Sequence, residues 1–195
     1  MRLECNAMNL LIRSLLFVVC SLPMWVGATE LADRLQTQNH VLLVRHAYAP
    51  GFGDPAGYSL ERCDSQRRLN QQGREQALKI GKWLRQQGVH DAEVYTSAWC
   101  RCTETAALLK FGQPEVLAAL GSFFDQASQS RAQNSELQAF LAKKSRTKGM
   151  KPLILVTHHV NIREFVGQNV DSGDMVLVRI DAQGRALEHR LYPSL

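Results

Sequence analysis

The sequence predicts an α/β protein, a three-layer α/β/α sandwich with a mostly parallel central sheet. Two runs of four large aliphatic residues, at 41–44 and 153–156, are typical of strands that are buried on both faces of a parallel sheet. Between these runs, segments with apolar residues at helical spacing alternate with short strand-like segments. This alternation favours parallel strands with helices packed on both faces of the sheet.

Three segments carry helical signals. The strongest covers residues 69–87, where Asn70 is a suitable N-cap and Gly88 a suitable stop. Two further helices are predicted over 99–110, closed by Gly112 and Pro114, and over 135–144, opened by Ser135.

Shorter signals fill the remainder of the sheet. The sequence predicts strands over 92–95 and 116–117, a loop over 121–131, and an antiparallel pair over 175–180 and 186–192 at the sheet edge.

The first 28 residues have the features of a secretory signal. Arg13 precedes an apolar stretch, and Val26, Gly27 and Ala28 form a small-residue cleavage pattern. We expect cleavage after Ala28, one domain over residues 29–195, and a periplasmic or secreted location. A retained membrane anchor is a less favoured alternative, because the uncharged run is short for a membrane span. Processing as a lipoprotein is the least favoured of these alternatives.

The net charge of +5 at pH 7 favours anionic partners. These are an anionic small molecule or an anionic envelope surface. The sequence has no run of basic residues interleaved with aromatic residues, so no nucleic acid partner is expected. The basic cluster at 143–148 is interpreted as a solvated helix end and loop rather than a polyanion site. No membrane span is expected once the signal is removed, and the sequence makes no prediction of oligomeric state.

Three cysteines follow the predicted signal. Cys63 can form a disulfide with Cys100 or with Cys102, which leaves one thiol in either case. Zinc is the weaker alternative, since Cys-x-Cys with one distant cysteine lacks the paired spacing of zinc modules. We therefore expect a disulfide and neither a metal nor another cofactor.

Histidines follow both buried strands. Arg45 and His46 come directly after the first run, and His158 and His159 come after the second. Open α/β sheets bind ligands at the carboxyl ends of their strands, so these residues predict an anion site at one edge of the sheet. Alternatively, Arg45 and His46 merely mark the point where a strand leaves the core.

A third basic residue follows the short strand at 92–95. Ser97 can cap a helix whose first turn holds Arg101. A helix N-terminus presents unpaired N–H groups, and an arginine there adds a full positive charge to an anion site. Alternatively, Arg101 pairs with Glu104 on the helix surface.

These motifs, in this order, resemble the signatures of the histidine phosphatase superfamily, also called the phosphoglycerate mutase-like family. Arg45 and His46 match its first signature, with Ala47 in place of a glycine. The pattern Ser-x-x-x-Arg-x-x-x-Thr-Ala is matched in full over 97–106, and the late strand ends in His158. The resemblance spans residues from about 40 to about 180 and implies the phosphoglycerate mutase-like fold.

The resemblance implies a reaction at phosphorus. His46 is expected to attack a phosphomonoester and form a phosphohistidine, which water then hydrolyses. Arg45, Arg101 and His158 are expected to bind the phosphate oxygens, since guanidinium groups supply paired N–H donors. These three positive groups are also expected to lower the pKa of His46. The expected substrate is a phosphorylated small molecule, either a metabolite or an envelope component.

The proton donor to the leaving group is less clearly indicated. Asp125 is the first candidate, His159 the second and Asp54 the third. Gln66 and Arg67, in the loop after the nucleophile, are candidate substrate ligands. Two alternatives to a phosphatase remain, a phosphoglycerate mutase-like phosphotransferase and a catalytically weak module that binds phosphate or polyanions.

Overall fold

A six-stranded sheet organises residues 29–194, the part of the chain that the computed structural model describes. The predicted signal at residues 1–28 lies outside the described residues. The strands are β1 (His40–Arg45), β2 (Glu93–Thr96), β3 (Glu115–Val116), β4 (Leu153–Thr157), β5 (Met175–Ile180) and β6 (Ala186–Tyr192). The α-helices are α1 (Glu30–Leu35), α2 (Gln71–Gln86), α3 (Cys100–Leu108), α4 (Ser130–Thr147) and α5 (His159–Val166).

The sheet is mostly parallel, as predicted. Its strand order is β3-β2-β4-β1-β5-β6, and the first four strands of this order run parallel. The two histidine-bearing strands are direct neighbours, with Arg45 opposite Thr157 in the register. The predicted closing pair is confirmed, since β5 is antiparallel to β1 and β6 is antiparallel to β5.

Helices cover both faces of the sheet, which confirms the three-layer prediction. Alternate residues of a strand point to opposite faces. Leu42 therefore packs with apolar residues of α1, α2 and α3, whereas Leu43 packs with those of α4 and α5. Both residues are fully buried, which explains why β1 reads as an uninterrupted aliphatic run.

Close backbone contacts fix α2 beside the loop that follows β1 and beside the C-terminal end of α3. A Cβ atom on Gly73 would lie 1.9 Å from the carbonyl oxygen of Tyr48, and one on Gly81 would lie 2.4 Å from that of Leu109. Only glycine permits these approaches. The helix begins as predicted, because the Asn70 side chain accepts a hydrogen bond from the Gly73 backbone N–H at 2.9 Å.

Three local predictions were wrong or incomplete. Helix α4 begins at Ser130 rather than at Ser135, whose hydroxyl instead donates to the Arg131 carbonyl within the helix. The N-cap of α3 is Trp99 and not Ser97. Helices α1 and α5 were not predicted, because six and eight residues are too few to establish a clear period. No helix between residues 29 and 194 is both long enough and apolar enough to cross a membrane.

Candidate active site

The two parallel strands bring His46 and His158 together at one edge of the sheet. The His46 backbone N–H donates to the Thr157 carbonyl at 2.9 Å, which extends the β1–β4 pairing by one residue. The two imidazole rings lie 5.5 Å apart between centroids, and both residues are buried. The site is therefore a direct product of strand register.

Hydrogen bonds define the tautomer of His46. Its Nδ1 lies 2.8 Å from the carbonyl oxygen of Ala47, which can only accept, so Nδ1 carries the proton. Its Nε2 accepts from the Nε–H of Arg101 at 3.3 Å. The Nε2 lone pair therefore faces the arginine, and this is the nitrogen that can attack an electrophile.

Burial keeps the His46 imidazole neutral. The pKa of His46 lies well below its usual range, first because the ring is desolvated and then because Arg101, Arg45 and Arg67 disfavour a further positive charge. The lowered pKa of His46 agrees with the expectation from the sequence, but its main cause is burial and not neighbouring positive charge. His158 is not one of the cations, because its own burial lowers its pKa well below the usual value.

Thr105 explains the last part of the Ser-x-x-x-Arg-x-x-x-Thr pattern. Its hydroxyl donates to the Arg101 carbonyl at 2.6 Å and accepts from the Ala47 backbone N–H at 3.0 Å. Ala47, the residue after His46, is thus fastened to α3. Ala47 has no positive φ angle, and its methyl group packs in a small apolar cluster with Leu69 and Ala77. Alanine therefore replaces glycine here without backbone strain.

Arg101 uses all three guanidinium nitrogens within the site. Its Nε faces His46, its Nη2 lies 3.4 Å from Nδ1 of His158, and its Nη1 donates to both carboxylate oxygens of Asp54 at 2.9 and 3.0 Å. The alternative pairing with Glu104 does not occur, since that carboxylate lies 3.8 Å from Arg74. The edge of the guanidinium that carries Nε–H and Nη2–H therefore lies between the two histidines.

Asp54 orients this arginine, a role that the sequence did not indicate. Its carboxylate also accepts from the Arg67 backbone N–H at 2.9 Å and from Nε1–H of Trp99 at 3.2 Å. Both oxygens thus accept hydrogen bonds and neither is free to carry a transferable proton. Asp54 is not the proton donor considered above. The only sequence signal for this role of Asp54 is its position as an acidic residue in the glycine-rich loop that follows His46.

Ser97 orients His158 rather than capping α3. The Ser97 hydroxyl lies 2.8 Å from Nε2 of His158. Because Nδ1 of that ring accepts from Arg101, Nε2 carries the proton and donates to the serine. The Ser97 oxygen also accepts from the Trp99 backbone N–H at 3.3 Å. The first residue of the pattern thus fixes the second histidine in place.

An open pocket of about 250 Å³ lies above these groups. Arg45 reaches its wall, and its Nη1 donates to the Val170 carbonyl at 2.7 Å. Its Nε is buried and has no hydrogen-bond partner among residues 29–194. The lining side chains with charge or a titratable proton are Arg45, His46, Asp54, Arg67, Arg101, Asp125, His158 and His159.

The two predicted substrate ligands are placed differently. Gln66 does not line the pocket, because its amide donates to the Ser59 carbonyl and accepts from the Cys100 backbone N–H, both at 2.9 Å. It joins the loop to α3 and is not a substrate ligand. Arg67 lines the pocket, and its guanidinium donates to loop carbonyls, including that of Gly53 at 3.0 Å.

Two candidate proton donors remain at the pocket wall. Asp125 is exposed and forms no ion pair within the described part of the chain. His159 is the first residue of α5 and half-buried. Burial, together with the positive charges of Arg45 and Arg67, lowers the pKa of His159, so less of its ring is protonated and able to donate at neutral pH.

The structure pairs Cys63 with Cys100 and leaves Cys102 as a buried free thiol. The disulfide links the pocket loop to the first residue of α3, next to Arg101. Within residues 29–194, no group of three or more His, Cys, Asp or Glu side chains is placed to hold a metal ion.

Removing this disulfide is expected to lower the free energy of unfolding. In the chain-entropy model, a cross-link between residues 37 apart contributes about 4 kcal/mol. The double variant Cys63→Ser/Cys100→Ser should show this loss in urea denaturation. An unchanged midpoint of unfolding in this double variant would contradict the stabilising role of the disulfide.

The free thiol of Cys102 is expected to be unreactive in the folded protein. Burial raises the pKa of Cys102 to about 12, so iodoacetamide should label it only after unfolding.

The buried histidines predict a loss of stability in acid. The pKa values of His46 and His158 are depressed in the folded protein, so the unfolded chain binds more protons below about pH 6.5. Each can remove up to about 1.4 kcal/mol of stability per pH unit there. Urea denaturation at pH 7.5 and at pH 5 should show the decrease. His158→Asn should reduce it, whereas substitution of the exposed His189 should not.

Comparisons with known proteins agree with this arrangement. The family model described as histidine phosphatase superfamily (branch 1) matches residues 31–120. The match includes His46 and Arg101 and ends before His158, which the parallel strand β4 supplies. No protein of curated function matches the chain in sequence.

Several solved structures share the fold. The protein histidine phosphatase SixA, complexed with tungstate, is 19% identical with a TM-score of 0.52, over 78% of this chain and 94% of its own. A phosphoserine phosphatase from Entamoeba histolytica, in complex with 3-phosphoglyceric acid, is 12% identical with a TM-score of 0.55, over 76% of this chain and 93% of its own. A protein described as mycobacterial hydrolase 1 is 13% identical with a TM-score of 0.52, over 80% and 99%.

Proposed function

We propose that this chain, whose residues 31–120 match the family model of the histidine phosphatase superfamily, hydrolyses phosphomonoesters through a phosphohistidine formed on His46. One observation carries the proposal. The Nδ1–H of His46 is held by the Ala47 carbonyl, so Nε2 carries the lone pair, which accepts from Arg101 in the arginine-lined pocket. A phosphate oxygen that takes over the Arg101 N–H frees this lone pair for attack. A neutral, oriented imidazole beside fixed cations is suited to attack on a phosphate group.

The arginines bind the phosphate in this mechanism. The Nε–H and Nη2–H of Arg101 and the guanidinium of Arg45 donate to the nonbridging oxygens. A phosphate dianion also favours protonation of His158, since a nearby negative charge raises the pKa of a histidine. Its Nδ1 then becomes a donor to the phosphate in place of an acceptor from Arg101.

Bond changes follow from this geometry. The Nε2 atom of His46 forms a bond to phosphorus while the bond to the leaving oxygen breaks, and that oxygen takes a proton from the carboxyl group of Asp125. In the second step, water attacks the phosphohistidine and Asp125 removes its proton. Phosphate and the neutral imidazole are released. Asp125 is assigned this role because its carboxyl group lines the pocket and forms no ion pair within the described residues, which leaves it free to contact the leaving oxygen.

The substrate we propose is a phosphorylated small molecule, either a metabolite or an envelope component. The open pocket with three arginines supports an anionic group with space for a leaving group. The predicted signal at residues 1–28 and the Cys63–Cys100 disulfide support an exported protein, since disulfides persist in oxidising compartments.

Turnover with trapping of the intermediate tests the proposal. The purified protein should release phosphate from p-nitrophenyl phosphate and from members of a phosphate-ester panel, with activity retained in EDTA. Acid quenching destroys phosphohistidine, so labelling with ³²P substrate should give a label that is stable to alkali and lost in acid. A protein inert on the whole panel would be a phosphate-binding module, and an acid-stable label would exclude the histidine intermediate.

Asp125→Asn tests the proton donor through its dependence on the leaving group. We expect kcat for ethyl phosphate to fall about 100-fold, because an alkoxide must be protonated as it leaves. The kcat for p-nitrophenyl phosphate should fall less than about fivefold, since nitrophenolate leaves without a proton. His159→Gln is the matched variant. If the selective loss appears with His159→Gln instead, His159 is the donor.

A further inference from the structure

We propose that the pocket mouth contains a subsite for an aromatic leaving group, formed by Phe52 and Phe124. The inference rests on the proposed function and narrows its substrate class to phosphomonoesters of alcohols that carry a planar ring. Both phenylalanines line the pocket outside its charged floor. Their exposure, their support and their mutual geometry all lead to this assignment.

The first observation is the exposure of Phe52. Its side chain is 85% exposed at the pocket mouth. Burying an aromatic ring of this kind is favourable by about 2 kcal/mol, so leaving it in water forgoes a stabilising contact. Single exposed apolar residues are common on protein surfaces. The position of Phe52 over a phosphate-binding floor and the rigidity of its backbone distinguish it from these.

The backbone on both sides of Phe52 is held in place. The Arg67 guanidinium donates to the carbonyls of Gly51 at 3.3 Å and of Gly53 at 3.0 Å, and also to that of Ala49. Asp54, which follows Gly53, is fixed by its ion pair with Arg101. An exposed ring on a backbone fixed in this way loses little conformational freedom when it binds a ligand.

The two phenylalanines form a corner. Their ring centroids are 4.9 Å apart and their planes meet at 84°. A third ring that stacks on one of them therefore meets the other edge to face, and both arrangements are favourable. The His159 ring lies 5.8 Å from that of Phe124 and extends this surface toward the reacting groups.

The direction of the reaction places the leaving group here. In-line displacement requires the leaving oxygen to lie on the side of phosphorus opposite the attacking nitrogen. His46 is 1% exposed and lies at the pocket floor, so the leaving group points outward to the mouth. A ring attached one or two carbons beyond that oxygen therefore extends toward Phe52 and Phe124, which line the same pocket.

Matched alkyl esters test the subsite. 2-Phenylethyl phosphate and ethyl phosphate both release primary alcohols, so their intrinsic reactivities are similar. We expect kcat/KM to be about 10-fold higher for the phenylethyl ester. Phe52→Ala and Phe124→Ala should each reduce this ratio to about 3 or less. Leu60→Ala is the control, because Leu60 is 41% exposed in the same loop and lies outside the pocket lining.

Affinities for the corresponding phosphonates separate this inference from the proposed function. 2-Phenylethylphosphonate and ethylphosphonate are not hydrolysed, so their Kd ratio, measured by calorimetry, does not depend on turnover. A ratio of about 10 that falls in Phe52→Ala supports the subsite even if no ester is hydrolysed. Equal affinities in the wild type, or a ratio unchanged in both phenylalanine variants, would overturn the subsite while leaving phosphatase activity intact.

Discussion

His46→Ala is expected to lower kcat/KM for every phosphomonoester by about 10⁴-fold or more. In the proposed mechanism, the substitution removes the nitrogen that forms the covalent bond to phosphorus, and no neighbouring group can replace it. His158 is the nearest imidazole, but its Nδ1 faces Arg101 and its Nε2 is bound to Ser97. Steady-state kinetics and the loss of the acid-labile ³²P label both measure the effect.

Phosphate binding separates lost chemistry from lost structure in this variant. Arg45 and Arg101 remain, so the Kd for inorganic phosphate should change less than about 10-fold. His90→Ala is the matched control, because His90 is an exposed histidine in a loop. If the His46→Ala variant still hydrolysed phosphomonoesters and still acquired the acid-labile ³²P label, the nucleophile would have to be another residue.

Asp54→Ala is expected to have the largest effect on stability together with a loss of activity. The Asp54 and Arg101 side chains are 3% and 4% exposed, and removing one member of such a pair leaves the other as an uncompensated buried charge. The free energy of unfolding should fall by about 3–5 kcal/mol. Loss of the hydrogen bonds that orient Arg101 should also lower kcat/KM about 100-fold.

Two further variants establish the origin of that effect. Asp54→Leu/Arg101→Met replaces the pair by apolar side chains and should recover much of the stability but none of the activity. Asp64→Ala breaks an exposed pair with Arg62 in the same loop and should leave Tm unchanged. Equal losses of stability in Asp54→Ala and in the double variant would mean that packing, and not the unpaired charge, is responsible.

Pattern arguments predicted the strands and the motif positions well. A run of four aliphatic residues is typical of a doubly buried strand, and parallel strands end at the same edge. The approach of His46 to His158 therefore followed from the sequence. The start of α4 was placed five residues late, because Ser135 resembles a cap although its hydroxyl bonds back within the helix.

Roles that depend on partners distant in the chain were harder to predict. Ser97 and Asp54 each received the wrong role, because the groups that they contact, His158 and Arg101, lie 61 and 47 residues away in sequence. Gln66 looked like a pocket ligand because of its loop position. Its amide is instead satisfied by two backbone groups, a requirement for a buried polar side chain that becomes visible only when burial is known.

By itself the sequence determined the fold class, the edge of the sheet that holds the candidate site, and the presence of His46, Arg101 and His158 at that edge. These follow from hydrophobic periodicity and from residue types at strand ends, which are local properties. Only the tertiary structure decided which ring nitrogen of His46 is free and which carboxylate orients Arg101. It also decided that burial, more than neighbouring charge, keeps the imidazole neutral. Hydrogen-bond partners and desolvation depend on groups brought together by folding, and no local pattern encodes them.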